Sequence, residues 1–127
     1  MKYGLPDAAL KKIRAVLGRH PQVKQAILYG SRAKGTHKRG SDIDLTLRGG
    51  ADMTLPVLYR IMDELDDLLL PYTIDLSIYA NIDDPDVIAH IRRVGLVFYE
   101  QSEGMLEPNQ SIKRENIRLR RNERYQL

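Results

Sequence analysis

Cysteine is absent from this chain, which excludes disulfide frameworks, thiolate-ligated zinc and thiol nucleophiles. Long apolar runs are missing as well. No stretch approaches the roughly 20 residues needed to cross a bilayer, and the opening MKYGLPDAALKK lacks the apolar centre of a secretory signal. The expected location is the cytoplasm. Internal repeats and low-complexity tracts are also lacking. Neither charge sign dominates, because 20 basic and 17 acidic residues leave a net +3, a weak argument for any particular partner. What is present is a globular composition, 43% hydrophobic and 29% charged. A length of 127 residues suits one domain and is too short for two independent cores.

Helical and strand periods alternate along the chain. Pro6 and Asp7 open a segment in which Leu10, Ile13 and Leu17 recur at helical spacing, and Gly18 suits its end. Residues 26–29 form a short apolar run stopped by Gly30 and read as a buried strand. The stretch from Gly30 to Ser41, rich in glycine, hydroxyl and basic side chains, reads as turn and loop with one helical turn after Ser31. Residues 42–48 alternate strictly, with Ile43, Leu45 and Leu47 on one face and Asp42, Asp44, Thr46 and Arg48 on the other. Leu55, Leu58, Met62, Leu65 and Leu69 then mark a longer amphipathic helix that Pro71 ends. Residues 72–79 alternate again, and Asp84-Pro85 cap a helix holding Val87, Ile88, Ile91 and Val94 before a last strand at 96–99. The pattern predicts an α/β (α+β) domain over 1–102, with a sheet of about four strands and helices on at least one face. Residues 103–127 read as a separate basic tail. Its Lys113, Arg114, Arg118, Arg120, Arg121 and Arg124 could dock on an acidic partner or RNA, but a solvated, disordered extension or a short helix from Ser111 is the simpler expectation.

Three carboxylates stand inside strands, where carboxylates are normally avoided. Asp42 and Asp44 are two residues apart and project from one face, with Cα atoms roughly 6–7 Å apart. Asp75 relates in the same way to its own apolar face. If the two strands are neighbours, the three can converge, and their repulsion then calls for a cation. Oxygen ligands without His or Cys suit Mg²⁺ or Mn²⁺ rather than zinc. An isolated D-x-D is more often the solvated face of an amphipathic strand, so the upstream segment matters. There, Tyr29-Gly30-Ser31-Arg32-Ala33-Lys34-Gly35 runs from a strand into a Gly-Ser turn and basic residues. Gly30 permits close backbone approach, Ser31 supplies a hydroxyl, and Arg32 and Lys34 can neutralise phosphate charge. It is not a Walker A loop, because Thr36 rather than Lys follows Gly35, and not a nucleophile elbow, because Tyr29 stands where that motif needs Gly. His37, Lys38 and Arg39 lie in the same loop. His20 and His90 have no partner at metal-ligand spacing and read as structural or exposed.

Gly30-Ser31, ten intervening residues and Asp42-Ile43-Asp44, with Asp75 on a third strand, make up a G-S-x10-D-x-D pattern. This resembles the DNA polymerase beta-like nucleotidyltransferase superfamily over about residues 8 to 100, and most of all its minimal nucleotidyltransferases, the antitoxins of HEPN/MNT pairs. The resemblance implies a nucleotidyltransferase fold in which Asp42, Asp44 and Asp75 hold two Mg²⁺ ions. It further implies that Gly30 and Ser31 grip the β- and γ-phosphates of ATP, and that Asp75 accepts the acceptor's proton. The implied reaction moves AMP from ATP to a tyrosine of a HEPN ribonuclease toxin, which silences the toxin within a hetero-oligomer. Two other readings stay open: an antitoxin that neutralises by contact alone, and transfer to a small molecule such as an aminoglycoside. Base preference and oligomeric state have no signal in the sequence.

Overall fold

The computed structural model describes residues 1–102. The elements are α1 (Asp7–Gly18), β1 (Val23–Tyr29), α2 (Gly30–Lys34), β2 (Ile43–Gly49), α3 (Leu55–Asp66), β3 (Ile74–Ile78), a 3₁₀ turn at Tyr79–Asn81, α4 (Pro85–Val94) and β4 (Leu96–Glu100). The four strands form one mixed sheet in the order β3-β2-β1-β4. β1 pairs antiparallel with both β2 and β4, and β2 pairs parallel with β3. A parallel neighbour needs a crossover, and α3 supplies it.

Period-2 alternation gives the sheet two unlike faces. On one, Ala26, Leu28, Ile43, Leu45, Leu47, Leu76, Ile78 and Phe98 pack against Leu10, Ile13 and Leu17 of α1 and Val57, Ile61 and Leu65 of α3. On the other, a small cluster of Ile27 and Ile91 gathers Tyr29, Tyr79, Val87 and Val97, so α4 covers only part of it. The remainder of that second face is polar and carries the site.

The fold class matches the sequence expectation, while several boundaries move. β1 begins at Val23 rather than residue 26, because Val23 and Gln25 are buried and their backbones join the ladder. α3 closes at Asp66 instead of reaching Pro71, and Leu69 turns to a left-handed φ of 54° with 88% of its surface exposed. Acidic Asp63, Glu64, Asp66 and Asp67 oppose the negative end of the helix, where no basic residue compensates. β3 is shorter than 72–79, with Tyr79 passing into the 3₁₀ turn. The expected basic tail, 103–127, lies outside the described residues.

Candidate active site

The parallel register places Asp44 of β2 directly beside Asp75 of β3, with Ile43 beside Ile74 and Leu45 beside Leu76. The two carboxylates therefore share the polar face while their sequence neighbours anchor them in the core on the other. Asp42 lies one residue before β2 and is exposed; Asp75 is exposed on the edge strand; Asp44 is half-buried between them. Burial, then the charge of Asp75, then that of Asp42 push the Asp44 carboxyl above its ordinary range. Among the described residues, no three His, Cys, Asp or Glu side chains form a ready-made metal cage. The donor set nonetheless fits a hard divalent cation. It is all carboxylate oxygen, its members repel one another, and Mg²⁺ commonly takes one or two carboxylates and completes its shell with water and substrate phosphates.

Gly30 begins α2 where β1 ends, and it needs to be glycine twice over. Its φ is +74°, and a Cβ on it would overlap the Asp44 carboxylate. Gly30 and the Asp44 carboxylate are thus in van der Waals contact. Ser31 follows, half-buried, and Lys34 is exposed one helical turn on.

Arg32 takes a different course. It is 3% exposed, and its guanidinium donates to the Ser41 carbonyl through Nε at 3.1 Å and Nη2 at 2.8 Å, and to the Tyr3 carbonyl through Nη1 at 2.9 Å. It also lies 5.3 Å from the Tyr72 ring centroid. The sequence expectation of phosphate neutralisation by Arg32 needs an outward-facing group, whereas this guanidinium is turned inward and ties the α2–β2 loop to the N-terminal turn. Replacing Arg32 with Met strands two carbonyls, and the unfolding free energy by chemical denaturation is expected to fall by about 2–4 kcal/mol.

His37 sits over Gly4, Lys38 and Arg39 are exposed, and the Lys38 amide donates to Ser41 Oγ at 2.8 Å. His20 is structural: Nε2 lies 2.9 Å from Glu64 Oε2, beside an Arg19–Glu64 pair that links the end of α1 to α3.

Four residues at the polar face received no role from the sequence. Tyr29 is opposite Asp44 in the β1–β2 ladder, and its phenol is held above its ordinary pKa by burial first and the Asp75 charge next. Ser77 Oγ donates to Thr46 Oγ1 at 2.9 Å, two residues along from the carboxylate pair. His90 of α4 receives the Gly30 amide on Nε2 at 3.2 Å. A signal for His90 was available, because Val87, His90, Ile91 and Val94 share one helical stripe and a histidine interrupts it on the side facing the sheet.

A mixed four-stranded sheet with a Gly-Ser turn packed against paired strand carboxylates defines a nucleotidyltransferase domain. The chain belongs to the polymerase beta nucleotidyltransferase family, whose model matches residues 11–104. Among solved structures, one described as a toxin–antitoxin with AMP-PNP superposes with a TM-score of 0.59 at 19% identity, covering 89% of this chain and 93% of that one. A complex of tri-AMPylated Shewanella oneidensis HEPN toxin with MNT antitoxin gives 0.55 at 15% identity, over 91% and 92%. The toxin–antitoxin MntA-HepT gives 0.56 at 15%, over 92% and 94%. These likenesses establish a shared fold. No curated protein matches this sequence. Among the described residues, no helix is long and apolar enough to cross a membrane.

Proposed function

We propose that this protein transfers AMP from ATP to a hydroxyl of a partner protein, a tyrosine of a HEPN-type ribonuclease toxin, and thereby acts as its antitoxin. One observation carries the reading: Asp44 and Asp75 stand side by side in register on an otherwise polar face, with Gly30 packed onto Asp44. The solved relatives include a toxin–antitoxin with AMP-PNP and an AMPylated HEPN toxin with its antitoxin, which supports ATP and a HEPN partner as the two substrates.

In this reading Asp42, Asp44 and Asp75 would hold divalent cations, which would supply Lewis acidity to the phosphoryl transfer. Gly30 and Ser31 seat the β- and γ-phosphates, and Lys34 reaches them from the exposed side of α2. Asp75 takes the proton of the acceptor hydroxyl as its oxygen bonds to the α-phosphorus and the bond to the β-phosphate oxygen breaks. Its place on the edge strand suits a macromolecular acceptor, since among the described residues no strand lies beyond β3. Arg32 acts at one remove, by holding the loop that leads into Asp42.

Incubation with labelled ATP, Mg²⁺ and a HEPN-type partner protein is expected to move label onto a tyrosine of that protein and to relieve its ribonuclease activity. Folded protein that transfers nothing to a folded partner would overturn the proposal. Neutralisation that survives Asp42→Ala with Asp44→Ala would instead support an antitoxin acting by contact alone.

A further inference from the structure

We infer that His90 is a positioning residue that holds the Gly30 peptide, and through it the Gly-Ser turn, in the nucleotide-binding conformation; the inference rests on the functional reading above.

Gly30 is the first residue of α2, so its amide has no partner within that helix. The amide lies at a half-buried junction and points away from solvent toward α4, where His90 Nε2 receives it at 3.2 Å. An imidazole nitrogen that accepts from an N–H carries no proton, so Nε2 is the bare nitrogen and the ring is neutral. Three further observations agree. The His90 ring meets the Tyr29 ring edge-on, centroids 6.1 Å apart and planes at 79°, so the imidazole is oriented from its side as well as from its tip. Burial first, then the charges of Arg93 on α4 and Lys34 on α2, disfavour a positive charge on His90. Finally, Gly30 has a left-handed φ and touches Asp44, so a small rotation of its peptide moves the turn relative to the carboxylates.

The chemistry therefore distributes tasks over three elements. β1 delivers the peptide, α4 fixes its orientation with one acceptor, and β2 supplies the carboxylate that the turn rests on. His90 acts through the Gly30 peptide. It gives an acceptor to the first amide of α2, a donor that has none within the helix.

Two substitutions separate this role from simple packing. His90→Phe keeps the ring and its contact with Tyr29 but removes the acceptor. His90→Gln gives up the ring but places an amide oxygen near the Nε2 position. Hydrogen exchange of the Gly30 amide, followed by NMR in the free protein, is expected to quicken about tenfold in H90F and to stay near wild type in H90Q, the loss of one hydrogen bond being the cause. Calorimetric affinity for ATP with Mg²⁺ is expected to follow the same order, weakening about tenfold in H90F and recovering in H90Q. A packing role predicts the reverse order, with Phe tolerated and Gln harmful, and would overturn the inference. So would a Gly30 amide equally protected in wild type and H90F, or equal ATP affinity in the two. A wild-type protein whose Gly30 protection depends on His90 but which binds no ATP would overturn the functional reading instead.

Discussion

Substituting Asn for Asp44 is expected to cost on the order of 10³-fold or more in transfer rate, since a divalent-ion ligand contributes several kcal/mol to stabilising the charge that develops in phosphoryl displacement. The same substitution is expected to raise the melting temperature of the free protein at neutral pH. The carboxyl of Asp44 is pushed upward by burial and by Asp75 and Asp42, so the folded state holds its proton more tightly than the unfolded chain does. Native protein therefore binds more protons over the interval between the ordinary carboxylate pKa and the raised one. Stability falls as pH rises through that interval and stays lower above it. The advantage of Asp44→Asn is thus full at neutral pH and closes as acid protonates Asp44 in the wild type. Magnesium with ATP should narrow the gap from the other side, by binding the wild type and not the variant. Thermal melts across pH, with and without Mg²⁺ and ATP, check all of this; a D44N protein less stable than wild type at neutral pH would show that Asp44 serves the fold.

Gly30→Ala is expected to reduce transfer about a hundredfold, the scale that a displacement of roughly 1 Å at a reacting centre produces. Two penalties combine there. A Cβ at a left-handed φ costs about 1–2 kcal/mol, and this one would also drive the Asp44 carboxylate from its place. Gly35 provides the control, five residues away at the end of α2. Its φ of +79° carries the same backbone penalty, but nothing lies within 4 Å of a Cβ built on it. Gly35→Ala should lose stability by about 1 kcal/mol and keep its turnover. Denaturant melts and transfer rates on the two variants separate strain from collision. Equal losses of rate in both would place the effect in the backbone alone.

The elements that sequence revealed best are those whose side chains alternate or recur against a large apolar face. Ile43, Leu45 and Leu47 could only be one side of a strand, and their partners Asp42 and Asp44 then had to occupy the other. Adjacency of Asp44 and Asp75 was different in kind. It depended on β2 and β3 being neighbours, which no local pattern states and the parallel register supplies. Boundaries failed where local chemistry overrode period, as at the acidic end of α3. Arg32 was misplaced because composition favours an outward cation beside a Gly-Ser turn, whereas three donors matched to the Ser41 and Tyr3 carbonyls make the interior acceptable. His90 was read as structural or exposed, without a place at the site, because its partner is a backbone amide 60 residues away, and backbone donors leave no letter in a sequence.

Asp44 stands between buried Ile43 and Leu45, and Asp75 between Ile74 and buried Leu76. Every reactive group on these strands is thus flanked by residues that the interior depends on, and a one-residue slip of either strand would exchange the two. Insertions there are forbidden for reasons of folding before selection for activity ever acts. Substitutions that leave this register intact are confined to the rims, residues 35–41 and the exposed edge strand β3, where side chains can change without exchanging the two faces.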